Sequence, residues 1–296
     1  MSAAFGSDIV QAPARTPAQR LTRMLGKTPI HIALGVIALI WLVPTVGLLI
    51  TSFRPRSEIQ STGWWTVFTG NIDFTLQNYQ SVLDQQDMFS AFLNSVSITI
   101  PSTILPLVLA SFAAFAFAWV SFPLRDTLFL TVITLLLIPV QMTLIPLNQL
   151  FAQLGLSGSF LPIWIAHTTF ALPFGIFLLR NFFITLPKDL IEAARIDGAS
   201  NWNIFRQVVV PLSVPALASY GIFQFLWTWN DLLMALVFAP RDGKPMTVQI
   251  TSLLGTYASE WNLLAAAAFV VMLVPLIVFF SLQRYFVQGL LAGSVK

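Results

Sequence analysis

The chain has 296 residues, of which 9% are charged and 56% hydrophobic, with a mean hydropathy of +0.80. A soluble domain carries about a quarter charged residues, so this composition excludes one and describes a polytopic, all-α membrane protein. The formal charge of +3 decides little alone; the lack of cysteine excludes disulfides and thiolate metal sites, and two histidines, His31 and His167, are too few for a histidine-built metal centre.

Residues 1–28 are polar, with Arg15, Arg20, Arg23 and Lys27 ahead of the first apolar run. That run, about 30–52, is too long for the apolar region of a signal peptide and lacks a small-x-small cleavage site. It is read as the first transmembrane helix, behind a disordered basic tail, with residues 29–296 forming one transmembrane domain. A polar loop follows from 53 to about 88, its Trp64 and Trp65 placed like interface residues. Five further spans fit at about 91–120, 127–151, 160–181, 208–238 and 264–286, several longer than the ~20 residues needed to cross the hydrocarbon. Segment 208–238 is expected to include an extension outside the bilayer up to Pro215.

Six spans starting inside put both termini in the cytoplasm. Of fifteen Lys and Arg residues, only Arg54, Arg56, Arg241 and Lys244 then fall outside, as the positive-inside rule requires. Prolines recur within the apolar segments, among them Pro101, Pro106, Pro139, Pro173, Pro215 and Pro275; each removes a backbone donor and kinks its helix or provides a hinge. No inverted repeat relates the two halves.

Few polar residues lie in the spans. Trp227, Trp229, Asn230 and Asp231 form one constellation, in which a lipid-facing Asp231 would cost up to about 2.5–3.5 kcal/mol and so must face protein or water. Either the rings stack on a sugar whose hydroxyls bond Asn230 and Asp231, or the tryptophans sit at the interface and Asp231 binds a neighbouring helix or closes an outer gate. Gln141 and Asn148, seven apart on one helical face, pose the same choice. His167 stands among apolar residues and is read as a hydrogen-bonded core residue rather than a ligand. No nucleophile, base and orienting group converge, and no phosphate-binding loop is present, so the chain has no catalytic residues and no ATPase site of its own.

The longest polar passage of the second half is 186–207, within LPKDLIEAARIDGASNWNIFRQVVVPLSVP. A helix from Lys188 brings Leu190, Ala193, Ala194 and Asp197 near one another, with Glu192, Arg195 and Ile196 to the sides. Gly198 suits a left-handed helix end, and Ser200 an N-cap for a second helix through Trp202, Ile204 and Phe205. Arg195 and Asp197 are placed to tie the loop internally.

Glu192-Ala193-Ala194 followed by Gly198, with Leu179-Arg180-Asn181-Phe182-Phe183 before it, resembles the EAA signature of permease subunits from binding-protein-dependent ABC importers. The fit is to the carbohydrate branch and its maltose-permease, MalG-type, subunits. The tail adds to it through Gln283, Arg284, Gly289, Leu290, Ala292, Gly293, Val295 and Lys296. The resemblance covers about 90–296 and implies a coupling helix: Glu192 for a charged contact with a separate ATPase, Ala193 and Ala194 for close fit, and Gly198 for the turn. It implies a second, non-identical MalF-like permease, a homodimeric or heterodimeric pair of ATPases using ATP and Mg²⁺, and an extracytoplasmic sugar-binding protein. The implied cargo is an oligosaccharide or glucoside, crossing the cytoplasmic membrane by alternating access, and no nucleic acid is involved. A glycerol-phosphate permease would need a cationic pocket, which the outer halves of the spans lack. An ion-gradient-driven secondary transporter is the reading from another class.

Overall fold

Inside a bilayer no water satisfies backbone N–H and C=O groups, so an apolar chain closes its hydrogen bonds within helices. The computed structural model describes residues 17–70, 73–85, 87–256 and 260–292, and all its regular elements are helical. In chain order they are α1 (Pro17–Phe53), α2 (Arg56–Ser61), a 3₁₀ turn (Trp64–Phe68), α3 (Gln77–Gln85), α4 (Met88–Trp119), α5 (Arg125–Thr134), α6 (Val140–Gln153) and α7 (Leu161–Phe183). Then come α8 (Lys188–Ile196), α9 (Asn201–Leu212, with a π-helical stretch at Phe205–Val209), α10 (Val214–Trp229), α11 (Leu233–Phe238), α12 (Met246–Thr256) and α13 (Trp261–Ala292).

Among the described residues, four helices are long and apolar enough to cross a membrane alone: α1, α4, α7 and α13. The pairs α5–α6 and α9–α10, bent by 98° and 78°, bring the number to six if each pair is one span. With each bent pair taken as one span the number equals the six expected, but the helices are not as drawn from hydropathy. Helix α1 starts at Pro17, so 17–28 is helical rather than a disordered tail; the tail's first sixteen residues, and Gly293 to Lys296 at the other end, lie outside the described residues. Segment 127–151 is two helices, because Ile138 precedes Pro139 and takes the extended conformation (φ −77°, ψ 115°) that a following proline favours. Segment 208–238 is broken twice, at Ser213 between Pro211 and Pro215 and again at Asn230–Leu232. The first break falls two residues before Pro215, where the extension was expected to end. The π-helical stretch lies just ahead of Pro211, whose ring has no N–H to bond Gln207.

Not every proline bends its helix. Pro101 and Pro106 lie within α4 and Pro275 within α13, each leaving the carbonyl four residues earlier without its helical donor. Side chains from other helices occupy all three. Trp164 Nε1 donates to Ser97 O at 3.0 Å, Gln224 Nε2 to Ser102 O at 3.2 Å, and Trp229 Nε1 to Val271 O at 3.2 Å. Prolines thus serve as sockets that hold α7 and α10 to α4 and α13, a role beyond the kinks and hinges expected of them. Close approach does the rest: a Cβ on Gly175 would overlap the Tyr220 ring, whose hydroxyl donates to Ala171 O at 3.0 Å. Helix α1 stays apart, with 6% of its apolar window buried, and packs along α13.

Trp229→Phe keeps the ring but removes the donor to Val271. It is expected to destabilise the chain by about 0.6–1.7 kcal/mol, read as a lower thermal midpoint in detergent, whereas Trp227→Phe leaves the midpoint unchanged.

Candidate functional site

Two features stand out: a polar helix at one end of the bundle and a cavity within it. At the first, α7 ends at Phe183 and the chain turns into α8, with Asp189 in its first turn and Arg195 in its last, both matched to the helix dipole. Gly198 has φ +80°, Gly198 N donates to Arg195 O and Ala199 N to Ala194 O, the paired bonds of a Schellman end. Ser200 Oγ accepts from Asn203 N at 3.3 Å and caps α9. Helix, turn and helix are as the residues foretold.

The faces of α8 are not. Ile191 is buried and Ala194 packs on a core of Phe183, Ile204, Phe205 and Val209, so Ala193 and Ala194 do not share an outward face. Outward are Leu190, Glu192, Ala193, Asp197 and above all Ile196, which is 86% exposed. Arg195 does not tie to Asp197: its guanidinium donates to Trp119 O at 2.5 Å, at the C-terminal end of α4. Arg180 donates to Phe117 O at 3.4 Å and lies 4.0 Å from the centre of the Phe129 ring. Two cations thus meet the carbonyl end of α4, where its dipole is negative. Neither Ile196 as the outermost apolar residue nor the Arg195 contact was read from the sequence. Helical phase around the buried Ile191 points to the former; nothing local signals the latter, which joins residues 76 apart.

The second feature is a cavity of about 260 Å³ among the α5–α6 break, α7 and α10. Its walls include Phe170, Phe174, Phe223 and Trp227, with His167 and Gln224 as the polar members and no Lys or Arg among the described residues that line it. The expected Trp227-Trp229-Asn230-Asp231 constellation is divided here. Trp227 is 55% exposed and faces the cavity; Trp229 is 3% exposed, bonded to α13 and stacked on Phe225, a packing residue rather than a sugar platform. Asn230 donates back to Leu226 O. Asp231 caps α11, the helix that directly follows it, its Oδ1 accepting from Met234 N at 3.3 Å and Oδ2 from Ala235 N at 3.0 Å. Asn148 lines a separate groove of about 940 Å³ with Asn94, Arg241 and Asp242, while Gln141 is exposed and lines neither. His167 is not isolated: its Nε2 lies 3.7 Å from Asp231 Oδ2.

Four to six candidate crossings, two of them bent pairs, a surface helix clamped to α4 and a cavity between helices form the architecture of a membrane transport subunit. The chain belongs to the binding-protein-dependent transport system inner membrane components, whose pattern matches residues 106–291. It is 55% identical to the osmoprotective compounds uptake permease protein GgtD of Synechocystis sp., over 94% of this chain and 95% of that one. It is 37% identical to the alpha-glucoside transport system permease protein AglG of Rhizobium meliloti, over 90% and 96%, and 33% identical to the glucose import system permease protein GlcU of Saccharolobus solfataricus, over 88% and 92%. Its fold matches a chain of a bacterial alginate ABC transporter solved in complex with an alginate pentasaccharide-bound periplasmic protein, with a TM-score of 0.63 at 14% identity, covering 90% of this chain and 96% of that one. The protein is thus a multi-pass inner-membrane permease subunit of an ABC importer and not itself an enzyme.

At φ +80°, a β-branched residue in place of Gly198 is strained by about 1–2 kcal/mol. Gly198→Val is expected to speed amide exchange across 197–200 while α7 and α10 keep their protection; unchanged exchange would contradict the turn's dependence on glycine.

Proposed function

We propose that this subunit imports a small, neutral, polyhydroxylated compound, a glucoside or a sugar-like osmoprotectant, by alternating access driven by a separate ATPase docked on α8. The observation that carries this reading is the mounting of α8. Its outward side offers Ile196 and Leu190 among Glu192, Ala193 and Asp197, and its inward side is clamped to α4 through Arg195 and the core around Ile191. A push on α8 therefore reaches a span through a bond and a packed core rather than a slack loop.

The substrate class rests on two supports. Three permeases similar to this chain are named for osmoprotective compounds, alpha-glucosides and glucose. The cavity combines aromatic walls with Gln224 and His167, a chemistry suited to the apolar face and hydroxyls of a sugar. Within it Trp227 is the stacking surface. The lack of cations there disfavours a glycerol phosphate, and membership of a binding-protein-dependent family disfavours an ion-gradient carrier.

In the assembled importer, a binding protein outside delivers the substrate, a second and non-identical permease completes the pathway, and two ATPases bind ATP and Mg²⁺ inside. The charge distribution supports cytoplasmic termini and a cytoplasmic α8. ATP-driven closure of the ATPases moves α8 and α4 together, opens the cavity outward, and hydrolysis resets it.

The test is uptake by the reconstituted complex. Ile196→Asp puts a charge into the docking contact without touching the core; insertion stays intact while uptake and substrate-stimulated ATPase both fall by about tenfold or more. Normal transport by this variant would refute the docking assignment.

A further inference from the structure

His167 is 2% exposed and lines two spaces at once: the 260 Å³ cavity and a pocket of about 10 Å³ on its other side. The smaller pocket has room for one water, and its walls carry Ser95, Thr99, Thr228 and Asp231. His167 Nε2 is buried and has no hydrogen-bond partner among the described residues, and its 3.7 Å separation from Asp231 Oδ2 is too long for a direct bond. Two neighbouring hydroxyls have other bonds, Ser95 Oγ accepting from Met246 N and Thr228 Oγ1 from Gln224 Nε2. Asp231 Oδ2 accepts from Ala235 N and keeps a second lone pair.

We propose that a single water bridges His167 Nε2 and Asp231 Oδ2 and that the bridge makes His167 a positioning residue, passing contact in the cavity to α11. With its proton on Nε2 the imidazole donates to the water, and the water donates to the carboxylate. Asp231 is the joint at the α10–α11 break. Its side chain caps α11 by two bonds, and its carbonyl accepts from Thr247 Oγ1 at 2.7 Å, tying the break to α12. A ligand pressing on the His167 ring therefore moves the partner of the residue that sets the start of α11 and the seat of α12. This rests on the reading of the cavity as the substrate path.

The experiment compares the complete complex carrying the parent chain, His167→Leu and His167→Gln, by amide exchange and by uptake. Glutamine keeps an N–H donor for the water and leucine keeps only bulk. Removing the bridge is expected to speed exchange at Leu233–Phe238 by about tenfold in the leucine variant, with the glutamine variant within about threefold of the parent. Protection in α4 and α7 reports that each variant is folded. In uptake, the leucine variant loses about tenfold in maximal rate with little change in half-saturation, and the glutamine variant retains most of it. Equal exchange in both variants, or no change in the leucine variant, would overturn the bridge. The exchange arm does not depend on transport, so a parent complex that imported nothing would count against the importer reading alone. Fast exchange at α11 with normal uptake would overturn the relay to transport.

Discussion

The constraint on which this structure depends is that a carbonyl in hydrocarbon must find a donor. Prolines within the spans break that rule, and at several of them one of two answers is visible. At Pro139, and between Pro211 and Pro215, the helix gives way and the span bends. At Pro101, Pro106 and Pro275 the helix continues, and a side chain from another span occupies the unmatched oxygen: Trp164, Gln224 and Trp229. Helix contacts in lipid lack the hydrophobic drive that operates in water, so such bonds fix which helices meet and at what height. The bends open space between spans, and the sockets hold the walls of that space in place.

The two functional features sit on this frame. Gln224 is at once a wall of the cavity and the partner of Ser102 O, so the cavity is referenced to α4. At its other end α4 presents its terminal carbonyls to Arg180 and Arg195. The stretch of α4 from Ser102 to Trp119, about 26 Å of helix, therefore connects the surface helix to the cavity wall. The chain supplies a lever and no chemistry, which accords with a permease that depends on a separate ATPase.

Much of the fold was legible because its signals are local. Apolar runs marked the crossings, and Gly198 and Ser200 marked the turn and cap between α8 and α9, since backbone preferences decide both. The bends at Ile138–Pro139 and Ser213 were harder: a proline removes a donor, yet helices run on through Pro44, Pro106, Pro146 and Pro173, and at Pro106 a distant side chain reaches the freed oxygen. The site was legible in part. Trp227 faces the cavity, but its neighbour Trp229 was grouped with it by proximity, although two residues along a helix is a rotation of about 200°, which puts the two rings on opposite faces. His167 and Asp231, 64 residues apart, meet only because α7 packs beside the α10–α11 break. Ala193 and Ala194 could not both face a partner, being about 100° apart on a helix whose inward side Ile191 determines.

The central claim is that α8 and the end of α4 move as one body. Spin labels at the exposed Asp197 and Ser121, with their separation measured in the assembled importer before and after trapping with a non-hydrolysable ATP analogue, address it directly. A rigid clamp keeps that separation within about 2 Å while α8 travels with the ATPase; a change of about 5 Å, one helical turn, would mean that α8 slides over α4 and that the lever does not exist.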